Sequence, residues 1–279
     1  RTHARTVRRA LHGNWCASGR LLVCFGDVRE ETLIVAGVLD VSTEPLFAVV
    51  YEDDDLLVVD KPAGLVVHPS KDGERSSLIG RVRLYLGHGE GRLVNRLDRE
   101  TSGLVVIAKS AVVAGALGRL FATRGVEKTY LAIVHGAMGE GTQVIAAPLG
   151  RDEASAVAIK DAVRPDGAPA ETVVTMARTF TRDGRTFSLV RVQPRTGRKH
   201  QIRIHLAHIG HPIVGDKIYG DDERRYLRLV TGALTDADRA ALLLDHHALH
   251  AATLRFRWRD RDRDIHVDPD DRFRGFMPD

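Results

Sequence analysis

Residues 92–108 read Arg92-Leu93-Val94-Asn95-Arg96-Leu97-Asp98-Arg99-Glu100-Thr101-Ser102-Gly103-Leu104-Val105-Val106-Ile107-Ala108. From Gly103 to Ala108 the run is continuously apolar and short, the pattern of a buried strand. The residues before it form a polar, charged turn that leads straight into that strand. A turn carried on a rigid scaffold is where catalytic groups tend to be placed. Asp98 lies between Arg96 and Arg99, and nearby cations lower a carboxyl pKa below its usual value of about 3.9. An ionised carboxylate can serve as a nucleophile. Spacing alone favours a plainer role, in which Asp98 caps the turn by accepting from the Thr101 or Ser102 amide.

Strand-like runs surround this stretch. Residues 46–51 and 56–59 are β-branched runs split by Glu52-Asp53-Asp54-Asp55. Lys61-Pro62-Ala63-Gly64 forms a turn before a third strand at 65–68. Ser76 or Ser77 caps a helix to about Leu86, with Leu78, Val82 and Tyr85 or Leu86 on one face. A second helix spans about 112–123 and stops near Gly125. Further strands are read at 130–134, 172–177, 186–192 and 248–258, with a hairpin and loops across 136–170. Thr196-Gly197-Arg198 opens a helix over about 198–209, where Ile202, Leu206 and Ile209 recur at i, i+4 and i+7. Thr235 followed by Asp238 marks one more helix start. Strands outnumber helices and lack a βαβ rhythm. The fold class is therefore α+β, with a mixed, largely antiparallel sheet flanked by helices.

Composition sets the outer limits. The 279 residues, 43% hydrophobic and 28% charged, suit a globular protein with a real core and exclude a disordered or collagen-like chain. No apolar run approaches the length of a membrane span, and no secretory signal is read at the Arg-studded start. The two cysteines, Cys16 and Cys24, are too few for a disulfide framework, so a reducing cytoplasm is expected. Of 41 basic side chains only seven are Lys, leaving 34 Arg, against 37 acids and a net charge of +4. That balance permits a nucleic-acid partner without requiring one; a GC-rich genome also favours Arg. Residues 1–44 read as a basic extension and 45–279 as the main domain.

The second chemically loaded segment is Pro194-Arg195-Thr196-Gly197-Arg198-Lys199-His200-Gln201-Ile202-Arg203-Ile204-His205. Lys199 and Arg203 would share a helix face, which is unfavourable unless an anion or carboxylate lies between them. Free amides at Thr196-Gly197 would suit a phosphate. The plain alternative is a solvated basic face.

Together these segments carry a resemblance. Asn95-Arg96-Leu97-Asp98-Arg99-Glu100-Thr101-Ser102-Gly103-Leu104 is similar to the HRLDxxTSGL motif of RluA-type pseudouridine synthases. Three more pieces follow the same family's order: Leu57-Val58-Val59-Asp60-Lys61-Pro62-Ala63-Gly64, Lys128-Thr129-Tyr130-Leu131-Ala132, and Thr196–His205 with Gly210-His211-Pro212-Ile213-Val214-Gly215-Asp216. The resemblance spans roughly 46–257. It implies a pseudouridine-synthase-like catalytic domain that isomerises uridine in ribosomal or transfer RNA, with no cofactor or metal and no obligatory protein partner. It assigns the essential carboxylate to Asp98, its pairing cation to Arg203 and the base-packing ring to Tyr130. RNA contacts fall to Arg96, Arg99, Arg198, Lys199 and Asn95. Flipping an unpaired uridine costs less than flipping one from a duplex. Two departures stand out: Asn95 replaces the family's usual His, and no S4-type RNA-binding pattern is found in residues 1–44.

Two rivals compete. His200, His205, His208 and His211, with Asp245, His246, His247 and His250, suggest a metallohydrolase, although no HExxH-like spacing occurs. A catalytically silent RNA-binding protein of the same fold would need no acid at 98. Lys61 reads as a turn cation, and the alternating charges across 257–264 as a self-neutralised surface segment.

Overall fold

The computed structural model describes residues 47–68, 74–87 and 90–278, together with the paired two-residue strands β1 (Asn14–Trp15) and β2 (Leu21–Leu22). The basic arm's further readings lie outside the described residues. The chain divides into units spanning 1–45 and 46–279.

A ten-stranded sheet organises the second unit. Its main path uses β3 (Ala48–Glu52), β4 (Leu56–Lys61), β6 (Ser102–Ala108), β13 (Leu249–Trp258), β7 (Val126–His135), β12 (Arg185–Pro194), β11 (Glu171–Arg182) and β8 (Thr142–Ala146), neighbours in that order. β5 (Arg92–Leu93) pairs with β6, and β14 (Arg261–His266) pairs with β13. Every pairing is antiparallel except β6 with β13. β9 (Leu149–Arg151) and β10 (Asp161–Val163) form a separate hairpin. The α+β reading holds, with a mixed and mostly antiparallel sheet.

Both faces of the β4–β6 pair are covered, which explains their unbroken apolar runs. On one face Leu57, Val59, Val105 and Ile107 pack against α1 (Leu78–Leu86) through Leu78 and Val82. On the other, Leu56, Val58, Leu104 and Val106 meet α2 (Ala111–Ala122) through Val113 and Leu117. Each such side chain contributes about 1.5–3 kcal/mol on full burial. Ser77 caps α1, accepting from the Gly80 amide, and Ser110 caps α2 in the same way through Val113. Gly103 adopts φ +106°, and a Cβ there would lie 2.3 Å from the Ala251 carbonyl oxygen. The parallel approach of β6 and β13 therefore requires a glycine at this point.

Several expectations need correction. Residues 65–68 form no strand; Val66 makes only an isolated bridge to Ser77, and Leu65 and Val67 are apolar because they are buried. The strands near 172–177 and 186–192 are longer than read. The alternating charges after Arg257 do neutralise one another, through Arg255–Asp264 at 3.0 Å and Arg257–Asp262 at 3.7 Å, but they do so as cross-strand pairs of β13 and β14. α4 (Arg224–Val230) had no clear sequence signal, whereas α5 (Asp236–Leu242) carries the expected Thr235–Asp238 capping box. Among the described residues no helix is long and apolar enough to cross a membrane.

α3 (Gln201–His208) is shorter than expected and buried nearly all round. Ile202 and Leu206 face the core as their spacing implies, but Gln201, Arg203 and His205 are buried too. A helix with polar side chains sunk on several faces must satisfy each of them internally.

Candidate active site

The turn between β5 and β6 brings Asp98 to the start of the parallel junction. Its side chain does not cap the turn: the Thr101 amide donates to the backbone carbonyl of Asp98 at 3.2 Å. The carboxylate is instead available to α3, where Arg203 Nη1 donates to Oδ2 at 2.9 Å. The two residues lie 105 positions apart in the chain. Asp98 keeps 29% side-chain exposure, whereas Arg203 keeps 6%. Burial pushes the Asp98 carboxyl up; the Arg203 guanidinium is the main charge opposing it, and the group is held below the usual carboxylate value.

Arg203 does not serve Asp98 alone. Its Nε and Nη2 donate to Asp216 at 2.6 and 2.9 Å, so one guanidinium bridges two carboxylates. Asp216 is fully buried and also accepts from the Ile218 and Tyr219 amides at 2.9 and 3.0 Å. Burial works against its charge, but Arg203 and these amides hold it well below the usual range. Beside this pair, buried Lys217 donates to both oxygens of Glu100 at 2.9 Å. The sequence reading missed Asp216, Glu100 and Lys217. Glu100 and Asp216 stand inside the motif segments and Lys217 follows directly, but nothing in their spacing marked them as buried partners.

Two further side chains hold the Asp98 turn in place. Lys61 is fully buried, and its ammonium donates to the Pro62, Leu65 and Arg99 carbonyls at 2.9, 2.9 and 3.0 Å. The Gly64 amide donates to that same Arg99 carbonyl at 2.9 Å. Burial pushes the Lys61 ammonium down to about 7, opposed by the charges of Asp98 and Asp60. Three carbonyl acceptors also favour the protonated form. Lys61 is thus a turn cation, as read, and it ties two motif turns together.

Asn95 fills a gap in the β6 ladder. β5 pairs only with the far end of β6 and β13 only with its start. Between them, Asn95 Oδ1 accepts from the Val106 amide at 2.8 Å, and Nδ2 donates to the Leu104 carbonyl at 3.3 Å. Asn95 lines the cleft, yet its amide is engaged by the strand, so direct RNA contact is not what this geometry favours. Asn95→Ala is expected to lower unfolding free energy by about 1–3 kcal/mol, because two half-buried backbone groups lose their partner. An unchanged urea midpoint would show that the gap needs no filling.

Asp98 opens into a cleft of about 1090 Å³. Arg96, Arg99, Arg198 and Lys199 are exposed along it, and exposed Arg124 and half-buried Lys128 line it as well. Lys199 pairs with Asp161 at 3.0 Å and lies before α3, so the expected Lys199–Arg203 face does not form. The loop at Thr196 is also less open to phosphate than expected. Gln201 Oε1 accepts from the Arg198 amide at 3.0 Å and from the Thr196 hydroxyl at 2.7 Å. Tyr130, on β7, lines the cleft and packs against two of the core clusters. Burial, then the charge of Asp98, raises its phenol pKa well above the usual value, so the hydroxyl stays protonated at neutral pH.

The histidines do not converge. Both nitrogens of His205 are engaged, by Thr172 Oγ1 and the Ala147 carbonyl at 2.9 Å each. His211 meets the His135 carbonyl, His247 the Thr101 hydroxyl and His250 the Ser102 hydroxyl. Among the described residues no three His, Cys, Asp or Glu side chains are grouped to hold a metal ion.

Comparison with known proteins agrees with this geometry. Residues 55–208 match the family model for RNA pseudouridylate synthase. The chain is 38% identical over 237 residues to ribosomal large subunit pseudouridine synthase D of Xanthomonas campestris pv. campestris, covering 81% of this chain and 68% of that protein. It is 36% identical over 205 residues to the mitochondrial tRNA pseudouridine(32) synthase of Saccharomyces cerevisiae, covering 74% of this chain and 44% of that one. Over several bacterial relatives the match covers 57–68% of their length, so the chain spans between just over half and about two thirds of them. The solved structure of human RNA pseudouridylate synthase domain containing 1 superposes with a TM-score of 0.64 at 27% identity, covering 80% of this chain and 83% of that one. Shared sequence, shared fold and a buried Arg meeting the motif carboxylate lead to one conclusion: the chain belongs to the RNA pseudouridylate synthase family, of RluA type.

Proposed function

We propose that this chain isomerises uridine to pseudouridine in ribosomal or transfer RNA, and that Asp98 is the residue on which the reaction depends. The observation that carries this reading is the 2.9 Å contact between Arg203 Nη1 and Asp98 Oδ2 at the floor of a cleft edged with cations. In the reaction the N1–C1′ bond breaks, C1′ rejoins the base at C5, and the C5 proton is replaced by one gained at N1. Electrons balance without an external oxidant or reductant. Asp98, kept ionised, is the group that meets the nucleoside, whether it attacks C1′, adds to the base or accepts a proton.

A stacked uridine base must leave its neighbours to reach this floor, and its ring would lie against Tyr130. Burial and Asp98 favour the protonated phenol, so stacking is the main service assigned to Tyr130, and its hydroxyl is left at most a share in removing the C5 proton. Arg96, Arg99, Arg198 and Lys199 supply the charge that tracks the phosphates. A cytoplasmic setting fits a chain whose only cysteines are Cys16 and Cys24.

The test of the reading is release of tritium from unmodified ribosomal and transfer RNA transcripts carrying [5-³H]uridine, followed by mapping of the product. Release from either RNA, with pseudouridine at the site, is expected; silence on both would overturn the reading. In the same assay Tyr130→Phe is expected to keep RNA affinity within about threefold and to lower kcat by no more than about a hundredfold. A tenfold loss of affinity would remove stacking as the ring's main service.

A further inference from the structure

A histidine also stands on the cleft floor, beside Asp98. His200 occupies the N-cap of α3 in a left-handed conformation, φ 55° and ψ 14°, and its ring caps no helix amide. Nδ1 lies 2.9 Å from the Tyr219 hydroxyl, and Nε2 lies 3.8 Å from Oδ2 of Asp98. The ring is 9% exposed.

This arrangement fixes which nitrogen carries the proton. The Tyr219 oxygen accepts from the Asp161 amide at 3.3 Å. Among the described residues His200 Nδ1 is the one acceptor within reach of the Tyr219 proton. Tyr219 therefore donates to Nδ1, and the imidazole proton resides on Nε2, facing the carboxylate. Burial, then the charge of Arg203, pushes the ring down to about 4, so it is neutral at ordinary pH. Asp98 and Asp216 oppose that shift and Lys199 adds to it.

We propose that His200 is a positioning residue for Asp98: Tyr219 locks it as the Nε2–H tautomer, and its neutral N–H faces Oδ2 beside Arg203, poised to donate to it once the nucleoside is bound. Oδ1, which makes no hydrogen bond to the described residues, is left to meet the nucleoside. The 3.8 Å separation is longer than a hydrogen bond, and the proposal requires it to shorten in the nucleoside complex, as catalytic hydrogen bonds that are long without substrate often do. A neutral donor suits this position better than a cation. It orients the carboxylate without adding a second full charge that would weaken its basicity or nucleophilicity. The inference rests on Asp98 being the reacting group.

The experiment compares His200→Gln, His200→Asn and His200→Ala with the wild type in the [5-³H]uridine transcript assay. Gln reaches about as far as imidazole Nε2 and restores a neutral donor there. Asn stops near Nδ1 but tolerates left-handed backbone best. Gln is expected to retain at least about a third of wild-type kcat, while Asn and Ala lose about tenfold or more, with KM shifted less than about threefold throughout. Tyr219→Phe, which removes the tautomer lock and keeps the ring, is expected to lower kcat about threefold or more. Asn outperforming Gln would assign the position to backbone geometry and overturn the proposal. Equal rates for Gln and Ala would overturn it as well, as would a wild-type rate in Tyr219→Phe. A silent wild type would instead overturn the functional reading, and this inference with it.

Discussion

Asp98→Asn is expected to lower pseudouridine formation by about four orders of magnitude or more, with RNA affinity held within a few-fold. The substitution keeps the shape of the side chain and an oxygen that still accepts from Arg203 Nη1. It removes the charge on which attack, addition or proton abstraction depends. Folding should survive because Arg203 keeps its two hydrogen bonds to Asp216 and is not left as an uncompensated buried cation. Single-turnover kinetics and a filter-binding isotherm on the same transcript separate the two effects. Comparable losses in both would mean that Asp98 serves RNA binding and not the chemical step.

Arg203→Met is expected to damage stability as well as turnover, and that asymmetry distinguishes the two partners. Removing Arg203 leaves Asp216 fully buried with only the Ile218 and Tyr219 amides for company. Breaking a buried pair from one side costs about 3–5 kcal/mol, which a urea titration reads as a lower midpoint. Asp98, meanwhile, loses the main cation opposing the burial that raises its pKa. A carboxylate with a depressed folded pKa is ionised at neutral pH and gains its proton only as pH falls through that low value. Without Arg203 the value rises, so the acid limb of the activity profile should move to higher pH. Arg203→Lys should not rescue both sites, because an ammonium lacks the fork that spans two carboxylates. Wild-type stability and an unmoved acid limb in Arg203→Met would show that neither carboxylate relies on this guanidinium.

The contrast between β6 and its surroundings shows what the chain made legible. An uninterrupted apolar run announced a strand covered on both faces, and a charged turn in front of it announced the reacting end. Both readings depend on local pattern. The run at 65–68 looked the same and is not a strand, because burial alone demands apolar residues there. β14 was hidden for the opposite reason: its alternating Arg and Asp satisfy each other across strands and leave no apolar period to read. Asp98 and Arg203 were found through motif resemblance. Their shared dependence on Asp216 was invisible, since it arises only when the turn after α3 folds back under the helix. His200 was similarly concealed, because its tautomer is set by a tyrosine nineteen residues away.

Buried charge explains why these pieces act together. Asp98, Asp216 and Glu100 are matched by Arg203, Lys217 and Lys61, so this cluster holds as many acids as bases, and of the three carboxylates Asp98 keeps the most access to solvent. Lys61 and Asn95 fix the turn to the sheet, and Arg203 fixes the carboxylate to the helix. Chemistry at one carboxylate thus draws on a scaffold that spans the parallel junction of β6 and β13.

The most direct test maps pseudouridines by carbodiimide-based sequencing in ribosomal and transfer RNA from cells lacking the gene, complemented with wild type or with Asp98→Asn. At least one uridine left unmodified in the gene-less cells should regain pseudouridine with the wild-type chain and stay unmodified with Asp98→Asn at equal protein level. Restoration by the Asn variant would contradict the account at its centre.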